Sequence, residues 1–362
     1  MSKKKRLLQI PQGTEGIYLE EALRHKMIIR RIEDLYLKWG YLPVETPVFD
    51  FFDTYKPYIP GDQLDNIYRL MDREGDLLML RSDVTLFLCK QMGLALNGSD
   101  LPLRVFYGDT ILRHQNIEDI SKNEFFQMGA ELIGVPGMDG DLEVLSLAVE
   151  MLDALGIQWK LHLGTSGILA PVRSAIGGEQ KNDLHHAVLV RDFREMSGIL
   201  AAAGIARKKA DALADLCSFI GTSEEFSAYA QSLNAEMYGA ETLSQLKYLT
   251  DLLATLSRVT DTGNIRVDLS ELGSQAYHTG VVFQGYTPGI DSAFLSGGRY
   301  DRLLDDFGFD AHAAGFSFLL RKIEGLLPHG ERTAETKAEG GSFEERLANA
   351  RKLRAEGKTV RL

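Results

Sequence analysis

Apolar residues recur at intervals of three and four along the segment from Glu20 to Trp39. This spacing places them on one face of an α-helix, with the charged residues on the opposite face. The apolar positions are Leu23, Met27, Ile28, Ile32 and Leu35. Gly40 follows, and glycine often ends helices because it readily adopts a left-handed backbone conformation. The pattern therefore predicts an amphipathic helix that ends at Gly40.

The pattern changes to that of extended chain after Gly40. Tyr41–Phe49 is predicted as a strand, and its two prolines, Pro43 and Pro47, suit an edge or an interface because proline cannot donate to a strand ladder. A hairpin is predicted over Tyr68–Leu80, with its turn at Asp72–Gly75. Further strands are expected at Leu103–Thr110, Phe125–Ile133, Trp159–Gly164, Ile265–Leu269, Val281–Phe283 and Ala293–Ser296.

Helical patterns separate these strands. Helices are expected over Thr85–Leu96, Leu142–Leu155 and Ala314–Leu326. The stretch from about residue 171 to 258 is rich in Ala, Leu, Glu and Lys at helical spacing, as in Ile199–Ala214 and Thr242–Leu256. We interpret it as a helical subdomain inserted into a strand-rich core. Strands mixed with separate helical runs predict an α+β fold with a largely antiparallel sheet.

The domain organisation follows from this pattern. Residues 1–328 are expected to form the core with its insertion, and residues 329–362 a short tail with a helix near Phe343–Ala355. The 362 residues are 44% apolar and 25% charged, which is typical of a globular protein. We find no long apolar run, so neither a signal peptide nor a membrane span is expected.

Charge and chemistry exclude several classes of function. The net charge of −11 lacks the basic excess that dedicated nucleic-acid binders use on phosphates, so no nucleic-acid partner is expected. Cys89 and Cys217 lie in apolar helical segments and indicate reduced thiols of a cytoplasmic protein. His185-His186 has no further ligand at metal-binding spacing, and Gly297-Gly298 opens no phosphate-binding helix. We therefore expect neither a metal nor a cofactor.

Short motifs occur in order along the chain: Gly40–Pro47, Leu80–Thr85, Leu112–Arg113 with Gln127–Glu131, Tyr277–Phe283, Gly297–Asp301 and Ala314–Phe316. Together they resemble the catalytic domain of the class II aminoacyl-tRNA synthetases, and of the histidine enzyme in particular, from about Gln9 to Leu326. The resemblance implies a mixed, mainly antiparallel sheet flanked by helices. It also implies a dimer formed through the Gly40–Phe49 strand and its preceding helix.

The same resemblance implies that the ATP chemistry has been lost. Arg113 matches the family's arginine near the α-phosphate, but Gln115 replaces a carboxylate that reads adenine. Two cations of the family are replaced by Ser121 and Gly273, and the arginine that stacks on adenine is altered to Lys322. Leu319 replaces a small glycine, whereas Lys122 and Arg321 stand beside two of the altered positions. Removing one transition-state contact commonly reduces the rate by about 10²–10³. We therefore expect no catalytic residue in this chain.

The histidine side of the pocket matches the family better. The resemblance implies that free histidine binds to Asp83, Thr85, Arg113, Gln127, Glu131, Tyr277, His278, Gly298 and Tyr300. Two of these depart from the family pattern, because Asp83 is one methylene shorter than glutamate and His278 stands in place of a tyrosine. A structural alternative stays open for the carboxylates Asp83 and Glu131 and, as an ion-pair residue, for Arg113. Arg299 and Asp301 are expected to form a structural pair.

A synthetase-like core without these ATP residues, and with a short tail in place of an anticodon-binding domain, resembles the regulatory subunits of ATP phosphoribosyltransferase. This resemblance implies a short-form catalytic subunit as partner and feedback regulation by histidine. Two alternatives stay open. One is a truncated histidyl-tRNA synthetase or an amino-acid-adenylating paralogue, and the other is a histidine-binding scaffold for a different partner.

Overall fold

The computed structural model describes residues 10–11, 13–114, 123–173, 176–273, 277–328 and 336–362. The chain divides into two compact units, Met1–Leu327 and Pro328–Leu362. The described part of the first unit combines a mixed, mostly antiparallel sheet with flanking helices. The predicted α+β class is therefore confirmed. None of the described helices is long and apolar enough to cross a membrane.

The main sheet contains nine strands within the described residues, in the order β1-β5-β6-β12-β11-β10-β7-β9-β8. Only the pairs β1–β5 and β7–β9 are parallel. The strands are β1 Leu42–Pro43, β5 Leu103–Leu112, β6 Glu124–Ile133, β7 Lys160–Thr165, β8 Ile220–Gly221, β9 Ile265–Asp268, β10 Val281–Tyr286, β11 Leu295–Arg299 and β12 Ala313–Leu319. A smaller antiparallel sheet, in the order β2-β4-β3, is formed by β2 Phe49–Phe51, β3 Arg69–Met71 and β4 Leu77–Leu80. It contains the predicted hairpin.

The prediction of one strand over Tyr41–Phe49 is wrong, because this segment contributes to two different sheets. β1 lies at the edge of the main sheet, as expected from its proline. Between β1 and β2, the buried Arg81 guanidinium donates to the carbonyl oxygens of Thr46 and Pro47 at 2.8 and 3.3 Å. A side chain thus satisfies backbone groups that a continuous strand would have paired with a neighbour.

The predicted helix over Ala314–Leu326 is also wrong over its first half. Residues Ala313–Leu319 form β12, which lies between β6 and β11 near the middle of the sheet. Ala313, Ala314, Gly315 and Phe316 are consecutive and all buried. A short apolar run that is buried on both faces has no period that distinguishes a strand from a helix. Only Leu320–Ile323 is α-helical.

The helices cover the sheet and close the core. In the first unit they are α1 Leu19–Lys38, α2 Phe52–Tyr55, α3 Val84–Ala95, α4 Gly137–Leu155, α5 Ala170–Arg173, α6 Gly178–Leu189, α7 Phe193–Ala202, α8 Arg207–Cys217, α9 Ser223–Ser232, α10 Ala235–Tyr238, α11 Ala240–Leu256 and α12 Leu320–Ile323. Gly40 follows α1 with φ +79°, as expected for a glycine at a helix end. The predicted first helix is confirmed.

The inserted segment is helical, as predicted, but it also extends the main sheet. β8 pairs with β9 through Ile220 and Gly221, so the insert supplies an edge strand. The helical spacing noted over Ile199–Ala214 extends over two helices, because α7 ends at Ala202 and α8 begins at Arg207. Gly204 between them has φ +90°, a conformation that breaks a right-handed helix and suits glycine.

The second unit has its own small core. β13 Thr336–Lys337 pairs in parallel with β14 Val360–Arg361, and α13 Phe343–Ala355 connects them. Ser342 and Glu345 form a reciprocal capping box at the start of α13. Ala338, Ala350 and Val360 are buried together. The helix predicted in the tail is therefore confirmed with the same bounds.

Candidate functional site

A cavity of about 590 Å³ opens over the centre of the main sheet. Its walls come from the N-terminal end of α3, from β6, and from β10, β11 and β12. The residues predicted from the family resemblance converge on it: Asp83, Thr85, Arg113, Gln127, Glu131, Tyr277, His278 and Tyr300. Gly298 does not line the cavity. It lies beneath one wall, where a Cβ atom would approach Cδ2 of His278 to 3.2 Å.

Glu131 lies at the base of the cavity and is only 1% exposed. Three hydroxyl groups donate to its carboxylate: Thr85 at 2.8 Å and Tyr107 at 3.3 Å to Oε1, and Tyr300 at 2.6 Å to Oε2. Burial raises its pKa to about 7, because loss of solvent outweighs the hydrogen bonds that favour the charged form. The carboxyl group therefore changes protonation near neutral pH.

Gly315 supplies the space that Glu131 occupies. The two residues are direct partners in the β6–β12 register, and a Cβ atom at position 315 would lie 1.6 Å from Oε2 of Glu131. No side chain fits there unless the carboxylate moves. The small residue of this motif is thus explained by contact with a buried polar group.

Asp83 caps the N-terminus of α3, where its Oδ1 accepts a hydrogen bond from the Leu86 backbone N–H at 3.1 Å. Its other oxygen, Oδ2, faces the Gln127 side-chain amide at 3.4 Å. Gln127 also accepts from the Val84 backbone N–H at 2.9 Å and donates to Ser317 Oγ at 2.9 Å. These contacts fix both side chains before any ligand arrives, which reduces the entropy lost on binding.

Arg113 contributes a cation at the mouth of the cavity. Its Nε donates to the Ser82 carbonyl at 2.8 Å, and its Nη2 lies 3.5 Å from Asp83 Oδ2. The side chain is 31% exposed, so part of the guanidinium still faces the cavity. An ion pair and a ligand contact are therefore compatible at this residue.

His278 and Gly273 fit against each other. Gly273 has φ +94°, and a Cβ atom there would lie 2.4 Å from His278 Nδ1. That nitrogen is buried and has no hydrogen-bond partner among the described residues. Burial lowers the imidazole pKa to about 4, so the ring is neutral at physiological pH. The imidazole therefore occupies the space from which a side chain at position 273 would emerge.

The part of the cavity next to β12 contains two of the altered ATP positions, Leu319 and Lys322. Lys322 donates to Ser292 Oγ at 2.6 Å and to the Ala293 carbonyl at 3.0 Å, so its ammonium is already held by the protein. Leu319 lines the same part of the cavity. Gln115 and Ser121, and the neighbouring Lys122, lie outside the described residues.

Arg299 forms a structural ion-pair network, as expected. Its guanidinium binds Asp141 Oδ1 at 2.7–2.8 Å and Asp301 Oδ1 at 2.9 Å, and it is 7% exposed. Tyr248 also donates to Asp141, at 2.6 Å. The network ties α4 and α11 to β11 and does not line the cavity.

Tyr107 and Ser317, which hold Glu131 and Gln127 in place, were not predicted from the sequence. One signal was available for Tyr107. It is the register partner of Gly129, and a Cβ atom at Gly129 would lie 2.4 Å from the Tyr107 hydroxyl. A glycine two residues before a buried glutamate therefore marks the space of a cross-strand tyrosine.

Comparison with known proteins places this geometry in context. A family model described as "Histidyl-tRNA synthetase" matches residues 13–323. An ATP phosphoribosyltransferase regulatory subunit of Moorella thermoacetica is 31% identical, over 98% of this chain and 91% of the relative. The regulatory subunit of Geobacter metallireducens is also 31% identical, over 85% and 71%.

Solved structures show the same fold. A chain from Bacillus halodurans, described as an ATP phosphoribosyltransferase regulatory subunit/histidyl-tRNA synthetase, is 26% identical with a TM-score of 0.84, over 98% of this chain and 92% of that one. Histidyl-tRNA synthetase from Nostoc sp. PCC 7120 has a TM-score of 0.77 at 17% identity, over 98% and 85%. The second likeness concerns the fold alone.

Proposed function

We propose a role for this chain from one premise: it belongs to the family of ATP phosphoribosyltransferase regulatory subunits, which shares the histidyl-tRNA synthetase fold. The chain is a non-catalytic subunit that joins a separate short-form ATP phosphoribosyltransferase. The partner condenses ATP with phosphoribosyl pyrophosphate, the first step of histidine biosynthesis. This chain supports that activity and makes it sensitive to histidine.

One observation carries the ligand assignment. The cavity is lined by a carboxylate, Glu131, which three hydroxyl donors hold in place, and by a second carboxylate, Asp83. Free histidine carries an ammonium group and an imidazole N–H, both of which are donors. Two carboxylates suit these two groups, whereas apolar walls discriminate poorly between side chains of similar shape.

The proposed pose uses both carboxylates. Asp83 and Thr85 take the ammonium with Gln127 between them, and Glu131 accepts a hydrogen bond from the imidazole. Arg113 contacts the ligand carboxylate, because a guanidinium binds carboxylates in a planar, two-point geometry. The aromatic residues Tyr277, His278 and Tyr300 complete the wall, and Gly298 supports it from beneath, next to His278.

The regulatory role leads to a first expected outcome. Adding this chain to the purified short phosphoribosyltransferase should raise the rate of phosphoribosyl-ATP formation. Histidine should then lower that rate. Coupling free energies of about 1–3 kcal/mol correspond to changes of roughly 5–150-fold, so the effects should fall in that range. Steady-state rates with and without each component measure both effects.

The catalytic subunit alone, assayed with and without histidine, is the control for this experiment. A catalytic subunit that is equally active and equally inhibited in the absence of this chain would reject the regulatory role. A chain that catalyses histidine-dependent ATP–pyrophosphate exchange would instead favour the synthetase alternative.

We further propose that two copies of this chain associate through the face of the small sheet that carries Phe49 and Phe51. These side chains are 54% and 48% exposed, and Leu70 on the same face is 37% exposed. Asp50 between them points the other way and binds Lys90 at 2.7 Å. Contiguous exposed aromatic residues indicate an interface, and a two-fold axis lets one patch cover its own copy.

Phe51→Glu should therefore convert a homodimer into monomers, because it would bury two unpaired carboxylates across the axis. We expect the dimer dissociation constant to rise by on the order of a hundredfold. Light scattering at micromolar concentration measures the change. Val259→Glu is the matched control, because Val259 is 75% exposed and lies after the helical insert. Monomers in the wild-type protein, or dimers that persist in Phe51→Glu, would contradict this interface.

The two cysteines indicate the cellular compartment of the complex. Cys89 and Cys217 are free and buried, and thiols of this kind suit a reducing compartment. We therefore assign the complex to the cytoplasm. The acidic net charge supports a role without a nucleic-acid partner.

A further inference from the structure

The short segment of residues 268–273 lies between the helical insert and His278, a residue that lines the ligand cavity. This segment begins at the end of β9, next to the strand β8 that the insert supplies. The Leu269 backbone N–H donates to the Phe219 carbonyl of the insert at 3.1 Å. The segment ends at Gly273, against His278. It therefore has the insert at one end and the cavity wall at the other.

Asp268, at the start of the segment, is held in place by several hydrogen bonds and an ion pair. It is completely buried, and its Oδ2 lies 2.5 Å from Nη2 of Arg191 and 2.9 Å from Nδ1 of His162. Its Oδ1 accepts from the backbone and the hydroxyl of Ser270 at 3.1 and 2.7 Å. Burial opposes ionisation, but the hydrogen bonds from His162, Arg191 and Ser270 outweigh it and lower the pKa to about 2. The carboxylate is thus ionised and fully engaged.

Arg191 comes from the insert, in the turn between α6 and α7. Its φ is +60°, an unusual conformation for a residue with a side chain. Non-glycine residues keep this conformation only where their surroundings impose it, and such residues often occur at functional sites. The ion pair with Asp268 supplies a reason, because it aims the guanidinium from the turn onto the end of β9.

His162, Asp268 and Glu271 lie close enough to hold a metal ion together. The guanidinium of Arg191 already occupies the charged oxygen of Asp268, and the Tyr286 hydroxyl lies 3.0 Å from Glu271 Oε1. A metal ion bound there would lie next to the positively charged guanidinium of Arg191. The cluster is therefore better explained as an ion-pair network that joins the insert to the sheet.

The same network continues to the cavity. Gln284 lines the ligand cavity and also a small cleft between α6 and the segment, together with Leu189 and Gly273. The Tyr286 hydroxyl lies 2.9 Å from Gln284 Oε1 as well as 3.0 Å from Glu271. A displacement of the segment would therefore reach the cavity at two points, through Gln284 and through His278.

We propose that Arg191 is a positioning residue for the ligand cavity. Arg191 holds residues 268–273 against His278 and so couples the helical insert to ligand binding. This inference rests on the proposed histidine site. Coupling between two sites is reciprocal, so histidine should in turn restrain the turn that carries Arg191. A partner that displaces this turn would change histidine affinity without touching the pocket.

Calorimetric titration with L-histidine of the full-length chain tests the proposal. Arg191→Gly removes the ion pair but keeps a residue that tolerates φ +60°, and it should weaken histidine binding about tenfold. Arg191→Lys keeps the charge and should recover part of the affinity. Arg207→Gln should match the wild type, because Arg207 belongs to an exposed ion pair with Asp211 elsewhere on the insert.

Amide hydrogen exchange of the wild-type chain gives a readout that a purely structural role would not change. Histidine should slow exchange in residues 269–273 and also in the 187–193 turn. In Arg191→Gly the protection of the turn should be lost. If Arg191→Gly does not fold, the wild-type exchange experiment still decides.

Each outcome is informative. If the wild-type chain binds no histidine, both the ligand assignment and this proposal are wrong. Equal histidine affinities of the wild type and Arg191→Gly would overturn the coupling alone. Amide exchange in residues 187–193 that histidine leaves unchanged would do the same.

Discussion

Replacing Glu131 with alanine should weaken histidine binding by roughly a hundredfold or more. The carboxylate is 1% exposed and is the proposed acceptor for the imidazole N–H. Leaving a buried donor or acceptor unsatisfied costs about 1–3 kcal/mol, and more when the group is charged, and about 3 kcal/mol corresponds to roughly a hundredfold in the dissociation constant. The change would also leave the hydroxyls of Thr85, Tyr107 and Tyr300 without their common acceptor. Calorimetric titration with L-histidine measures the effect.

Two further variants separate ligand binding from stability. Glu131→Gln keeps the volume but removes the charge, so it should weaken binding without leaving a void. Glu143→Ala removes another partly buried carboxylate, which binds Arg104 at 2.7 Å and Tyr41 at 3.1 Å outside the cavity. It should leave histidine affinity unchanged. Equal affinities in the wild type and Glu131→Ala would place the histidine sensor elsewhere.

The second large effect concerns the lost chemistry. Purified chain should show no histidine-dependent ATP–pyrophosphate exchange, a loss of at least about 10⁴ relative to an authentic synthetase if two transition-state contacts are missing at about 10² each. Gly273 stands where the resemblance implies a catalytic arginine, and the Lys322 ammonium is held by Ser292 and Ala293. Exchange of labelled pyrophosphate into ATP is the measurement.

Restoring the arginine alone should not restore the reaction. Gly273→Arg would place a side chain within 2.4 Å of His278 Nδ1, on a residue with φ +94°. Gly273→Arg should therefore remain at the level of the protein-free control, as should the wild type. Exchange that rises in proportion to added wild-type chain would contradict the proposed loss. An authentic histidyl-tRNA synthetase serves as the positive control.

Local patterns were sufficient to predict much of the fold and the position of the site. Residues four apart on one strand share a face, and Gln127 and Glu131, both within the strand predicted at Phe125–Ile133, line the cavity together. The order of the motifs along the chain predicted that the turn with Asp83 and Thr85 lies beside Gln127 and Glu131. These features depend on residues that are near one another in the sequence.

The missing parts depend on contacts between distant segments. The space that Gly315 leaves for Glu131 exists only because β12 pairs with β6, and β12 from Ala314 onward was itself predicted to be helical. Arg81 separates β1 from β2 by binding carbonyls some 35 residues away in the sequence. The tyrosine hydroxyl at position 107 likewise reaches Glu131 across a strand pair. Spacing along a single segment contains no information about such partners.

The fit between Gly273 and His278 bears on how a synthetase-like chain can lose its activity for good. Glycine is the residue that accepts both the positive φ at position 273 and the adjacent imidazole. Once both residues are in place, each opposes reversal of the other, because a new side chain at 273 meets the ring. An ancestral enzyme could lose amino-acid activation by single substitutions, but its descendants would need changes at both positions 273 and 278 to regain it. Packing of this kind makes a loss of activation hard to reverse one substitution at a time.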